Sequence, residues 1–173
     1  MAIGSIILNP GAAIFPDGTA SNLAPQLARV KSSAGATTPY FYQLNFDAAQ
    51  LEQCMWQFVV PQNYGSAFDL NIYYKMASAT SGLVAYDVRL AAVSNGDATD
   101  VDAKAFGSAN TGTLAVAGTA GQMLSAGLSL INVDSVATAD WAVIYFARNG
   151  ASGSDTATGD FELIGVNLQY VVA

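Results

Sequence analysis

The run from Cys54 to Val93 constrains this chain more than any other, because three successive segments in it alternate apolar and polar side chains. In the first, Trp56, Phe58 and Val60 share one phase while Met55, Gln57 and Val59 take the other. The second sets Leu70, Ile72, Tyr74 and Met76 against Asp69, Asn71, Tyr73 and Lys75. The third sets Val84, Tyr86, Val88 and Leu90 against Ala85, Asp87 and Arg89. A period of two places alternate side chains on opposite faces of a strand, so each segment reads as a strand with one buried face. Pro61 with Tyr64-Gly65, and Ser81-Gly82, supply the turns between them. Three strands in succession predict antiparallel pairing.

The rest of the chain extends this pattern. Tyr40 to Phe46 is the first strand, with Tyr40, Tyr42, Leu44 and Phe46 in one phase. Asp47 to Glu52 reads either as a short helix with Asp47 as its N-cap or as an irregular crossing into the next strand. Shorter strands are expected near Thr113 to Val116 and from Met123 to Ile131. Trp141 to Arg148 is apolar in both phases, which predicts a strand covered on both sides. In the last segment, Asp160 to Val172, Phe161 and Leu163 are out of phase with Ile164, Val166, Leu168 and Tyr170. A bulge near Gly165 returns both sets to the core.

Residues 1–38 differ in kind. Asn9-Pro10-Gly11, Phe15-Pro16-Asp17-Gly18 and Ala24-Pro25 interrupt them, and proline removes ladder donors and disfavours helix before it. They read as an extended arm whose apolar residues dock on its own domain or on a neighbour. The expected architecture is therefore all-β: a two-sheet antiparallel sandwich of about eight strands, jelly-roll-like, over residues 39–173, preceded by the arm.

Composition narrows the function. Only 11% of the 173 residues are charged, against roughly 25% in ordinary soluble domains. Ser, Thr, Asn, Gly and Ala must cover the surface, or another protein must. The net charge is −7, and Arg29, Lys31, Lys75, Arg89, Lys104 and Arg148 are scattered, so neither nucleic acid nor an anionic membrane is an expected partner. No run approaches a membrane span, and the first ten residues lack the basic region of a secretory leader.

Histidine is absent, which removes Ser-His-Asp and Cys-His nucleophilic sites and His-ligated zinc. Cys54 has no thiol partner and sits in an apolar strand, as a buried small hydrophobe would. Asp97, Asp100 and Asp102 form the densest acidic cluster. Such carboxylates suit a hard cation, but the EF-hand spacing and its terminal glutamate are missing, and the reading is a solvated loop. Asp155, Asp160 and Glu162, or Asp69 and Asp87 if on neighbouring strands, are the pairs a glycosidase would need. Asp69 opposite Lys75 and Asp87 beside Arg89 are also ordinary strand-face chemistry. Trp56, Trp141 and the tyrosines suit sugar stacking, although most fall in core phases. No catalytic, cofactor-binding or metal-ligating residue is assigned, and no enzyme activity or cofactor is expected.

Three runs carry a family resemblance: WQFVVPQNY (56–64), LNIYYKMASATSGLVAYDV (70–88) and ARNGASGSDTATGDFELIGVNLQY (147–170). With Trp56, Pro61, Tyr64, Gly82, Arg148, Asp155 and Asp160 in place, residues 40–172 resemble jelly-roll virion proteins of tailed bacteriophages, of the capsid decoration or cement type. The resemblance implies a non-enzymatic structural protein, made in the host cytoplasm and placed on the capsid surface, where it stabilises the head. Its implied partners are the major capsid protein and its own copies, as a homotrimer. With the arm as the capsid clasp, deleting residues 1–38 is expected to abolish attachment and leave the β-domain folded. The alternatives are a tail, baseplate or fibre subunit and, from another class, a carbohydrate-binding β-sandwich module.

Overall fold

In a computed structural model, which describes residues 1–35 and 37–173, the alternating segments become ten strands. They are β1 (Ile3–Ile7), β2 (Gln26–Lys31), β3 (Tyr40–Phe46), β4 (Leu51–Val59), β5 (Tyr64–Met76), β6 (Leu83–Val93), β7 (Asn110–Ala115), β8 (Leu124–Leu130), β9 (Trp141–Asn149) and β10 (Phe161–Val172). A six-stranded sheet runs β2-β3-β10-β5-β8, with β1 also paired to β10, and a four-stranded sheet runs β4-β9-β6-β7. All the strand pairings are antiparallel. The expected two-sheet, jelly-roll-like sandwich is what the chain forms, with ten strands rather than about eight because residues 1–38 contribute β1 and β2.

The three central segments are strands with the expected faces, but they are not neighbours. β4 and β6 lie in the four-stranded sheet, and β5 crosses to the other. Local periodicity specifies which face is buried and leaves the pairing partner to the whole chain. Between the sheets, Leu70, Ile72 and Tyr74 from β5 meet Val84, Val88 and Leu90 from β6 and Ile144 from β9, all buried. Phe46, Phe146 and Phe161 pack ring to ring at centroid distances of 5.6 to 6.1 Å.

Asp47–Glu52 is not helical. Asp47 Oδ1 accepts the Ala49 N–H, Glu52 Oε2 accepts the Asp47 N–H, and Leu51 already pairs with Asn149 in the sheet. A segment this short has no helix stability of its own, so strand pairing wins. The bulge near Gly165 is present: the β10–β5 register slips between Leu163 and Gly165. Phe161 and Leu163 before it and Val166, Leu168 and Tyr170 after it are all buried. The Ser81-Gly82 turn needs its glycine, since Gly82 has φ of 99° and a Cβ there would stand 2.7 Å from the Thr156 carbonyl oxygen.

Residues 1–31 wrap the sandwich edge. β1 pairs along Asn167–Val171 of β10, on the side that β3 occupies at Phe161–Leu163. The chain then makes a 3-10 turn at Pro10–Ala12, and Ile14 bridges Met55 at the β4 edge. Leu23 bridges Glu52 before β2 returns to cover β3. Leu8 is buried in the core, and the Trp56 indole N–H donates to the Asn9 carbonyl at 2.9 Å. Among the described residues no helix is long and apolar enough to cross a membrane.

Candidate functional site

The β10 bulge also shapes the outer face of the six-stranded sheet. β3 and β1 part on either side of Ile164–Val166, leaving a cleft of about 310 Å³ lined by Ile7, Asn9, Pro10, Tyr73, Ile164 and Asn167. Because Leu70, Ile72 and Tyr74 point inward, Asp69, Asn71, Tyr73 and Lys75 must point outward. Tyr73 stands opposite Gly165, where no side chain covers it, and is 40% exposed. Directly along the sheet, Asn71 faces Asn167. The Asn71 Nδ2 and the Asn167 Oδ1 are both buried and have no hydrogen-bond partner among the described residues. Ser129 Oγ donates to Asp69 Oδ1 at 2.6 Å in the next row.

The opposite end of this face is closed. Lys75 forms an ion pair with Glu162, and burial holds the lysine below its ordinary pKa. Gln43 Nε2 donates to Glu162 Oε1 at 2.8 Å and to Asn45 Oδ1 at 2.7 Å. The Lys75 and Glu162 charges are paired here, and Gln43 Oε1 is left without a partner among the described residues. The open part is the aromatic ring of Tyr73 beside two amides, flanked by small residues Gly127 and Ser125 across β8. That arrangement suits a ligand with an apolar face and a hydroxyl rim, and it contains no acid–base pair.

The candidate carboxylates are not brought together. Asp155 is held by Arg148, Asp160 is exposed, and Glu162 is bound to Lys75. Asp69 and Asp87, considered as neighbours from their sequence positions, lie in different sheets. Lys75 pairs with Glu162 rather than Asp69, while Asp87 does pair with Arg89. In the acidic loop, Asp97 Oδ2 accepts the Ser94 N–H and Asp100 Oδ1 accepts the Asp102 N–H, so two of its three carboxylates cap local turns. Among the described residues no group of three or more potential ligands converges on a metal position.

Trp56 is in the core, and burial pushes the Tyr145 phenol up to about 12. Tyr40 and Tyr42 are exposed despite their core phase, because β10 pairs only with Leu44–Phe46 and leaves the start of β3 beyond the core. Cys54 is fully buried, and burial drives its thiol well above its ordinary pKa. A thiol reagent at pH 8 is therefore expected to leave Cys54 unmodified in the native protein and to label it fully in denaturant. Labelling of the native protein at the denatured rate would show the strand to be open.

The sequence alone does not single out Tyr73, Asn71 and Asn167. Their alternation marked two of them as outward-facing, but the pairing of Asn71 with Asn167 depends on which strands meet.

No protein-family model matches the chain, and no curated protein matches it. Solved structures do. The native structure of a family 35 carbohydrate-binding module from Clostridium thermocellum aligns with a TM-score of 0.52 at 13% identity, over 95% of this chain and 97% of that one. The family 11 carbohydrate-binding module of a cellulosomal cellulase from the same organism aligns with a TM-score of 0.50 at 8% identity, over 100% and 97%. At these identities the likeness is one of fold: this chain shares the jelly-roll sandwich of those modules over nearly its whole length.

Proposed function

We propose that the chain is a non-catalytic glycan-binding domain that holds its ligand on the outer face of the six-stranded sheet. One observation carries this reading: Tyr73 stands exposed on an open cleft that Asn167 also lines, with Asn71 next to it along the same face. A sugar ring has an apolar C–H face for the phenol ring and hydroxyl groups for the amides. The named role of the modules that share the fold, carbohydrate binding, supports the same reading. The test is a glycan array followed by calorimetry with the best oligosaccharide. Tyr73→Ala is expected to weaken binding by roughly tenfold or more with the thermal transition unchanged. Undiminished affinity in that variant, or no glycan bound at all, would refute the reading.

A second reading rests on the sequence resemblance to phage virion proteins and on exposed Ile3, Ile7, Val59 and Ile131 in a chain of few charges. In it the domain sits on a capsid surface, bound to the major capsid protein and to its own copies as a trimer. Quantitative mass spectrometry of purified particles separates the cases. A copy number near that of the shell lattice supports decoration. A few dozen copies move the protein to the tail or fibres, and absence removes the virion reading.

A further inference from the structure

A second pocket lies on the other side of the sandwich, on the outer face of the four-stranded sheet. It has a volume of about 280 Å³, with Asp87 at its floor and Thr111, Thr113, Asn149, Ser152 and Ser154 around it. Thr111 stands directly opposite Asp87 across the β6–β7 pair, and Thr113 is two positions along the same face. Gly112 between them leaves room for Tyr86, whose Oη would lie 2.5 Å from a Cβ at that position.

The floor is a charged group with capacity to spare. Asp87 is only 6% exposed. Arg89 approaches it from one side, its Nε and one terminal nitrogen donating to Oδ2 at 3.0 and 2.6 Å and its Nε reaching Oδ1 at 3.2 Å. A carboxylate accepts about four hydrogen bonds, so Oδ1 retains an open lone pair. The walls offer hydroxyl groups and an amide, with no second charge among the lining residues.

The far wall is built rather than loose. The turn after β9 is closed by Ser152 N–H to Asn149 carbonyl and Asp155 N–H to Ser152 carbonyl bonds, each 2.9 Å. Asp155 then anchors it twice, through the bidentate contact to buried Arg148 and by accepting the Ala85 N–H at 3.0 Å. Ala85 lies on β6 two residues before Asp87, so floor and wall are tied to one strand.

We propose that this pocket binds one neutral sugar ring or a similar polyol, with Asp87 Oδ1 accepting a ligand hydroxyl and Thr111, Asn149 and Ser152 completing the set. Charge-assisted hydrogen bonds to a desolvated carboxylate are strong and directional, and hydroxyl-lined walls match a ligand that carries hydroxyls on several sides. An anion would meet the Asp87 charge, and a wholly apolar ligand would leave the walls unpaired. The inference extends glycan binding to a second face and does not depend on the Tyr73 face.

The test is amide chemical-shift titration of the full 15N-labelled chain with glucose, galactose, mannose and N-acetylglucosamine, each at millimolar concentration. Saturable shifts are expected at Asp87, Thr111–Thr113 and Asn149–Ser154, retained in Tyr73→Ala. Asp87→Asn is expected to weaken that binding by about tenfold or more. Thr111→Val, which leaves the Asp87–Arg89 pair in place, is expected to weaken it as well. Saturable shifts confined to Tyr73, Asn71 and Asn167 would overturn this pocket while leaving the first reading intact. Shifts confined to the pocket would support it and remove the first. Pocket shifts indifferent to both variants, or no saturable shift with any of the four sugars, would also overturn it.

Discussion

Replacing Arg148 with methionine is expected to abolish the cooperative fold at 25 °C. The guanidinium is fully buried and has five donors. Its Nε and one terminal nitrogen grip Asp155 at 3.0 and 2.8 Å, and the remaining donors reach the carbonyls of Ala157 at 2.9 Å, Gly159 at 2.8 Å and Phe46 at 3.3 Å. Phe46 belongs to β3 in one sheet and Arg148 to β9 in the other, so this side chain ties the two layers and the loop between β9 and β10. Methionine would leave the Asp155 carboxylate, itself 1% exposed, buried without a counter-charge. That alone costs about 3–5 kcal/mol, and the abandoned carbonyls add to it. Typical domain stability is about 5–15 kcal/mol. Urea unfolding followed by fluorescence of Trp56 and Trp141 measures the loss. Adding Asp155→Leu is expected to recover part of it, because the uncompensated charge is then gone. A single Arg148→Met variant within about 1 kcal/mol of the parent would contradict the account.

Removing residues 1–31 is expected to be as damaging, which reverses the expectation from sequence that the arm is dispensable for folding. Truncation takes away β1 from β10, β2 from β3, and the Ile14 and Leu23 bridges from β4. Three strands lose cover on one edge at once, and open edges invite pairing with other chains. It also deletes Leu8 from the core and the carbonyl that receives the Trp56 indole proton. Leu8→Ala by itself should cost about 2–5 kcal/mol. The truncated chain should therefore aggregate or show no sharp thermal transition by calorimetry and circular dichroism. A soluble truncated protein melting within a few degrees of the full chain would mean that the edge contacts contribute little. The consequence for any attachment experiment is direct: loss of binding after truncation would report unfolding before it reported a clasp, whereas surface substitutions at Ile3 and Ile7, both exposed, leave the strand in place.

Much of the architecture is written locally. The alternation in β4, β5 and β6 specified strands and their buried faces, because a pleated backbone offers only two sides. The phase break around Gly165 specified a bulge, since only an extra residue returns Phe161 and Leu168 to the same core. The absence of histidine removed whole classes of chemistry without reference to structure. The sequence also left Asp47–Glu52 open between helix and crossing, and pairing of Leu51 with Asn149 decided it.

Other features exist only where distant residues meet. Period two says nothing about partners, so the assignment of β4, β5 and β6 to alternating sheets came from the packing of the whole chain. The union of Arg148 with Phe46, the pairing of Asn71 with Asn167, and the pocket over Asp87 all join segments whose separation in sequence has no local signature. Phe46 apart, each of these residues by its number reads as an ordinary polar strand or loop position. Burial between two sheets made Arg148 a staple, and an open face beside a bulge left Tyr73 exposed. Exposure and partner are properties of the fold, and periodicity carries only the side of the strand.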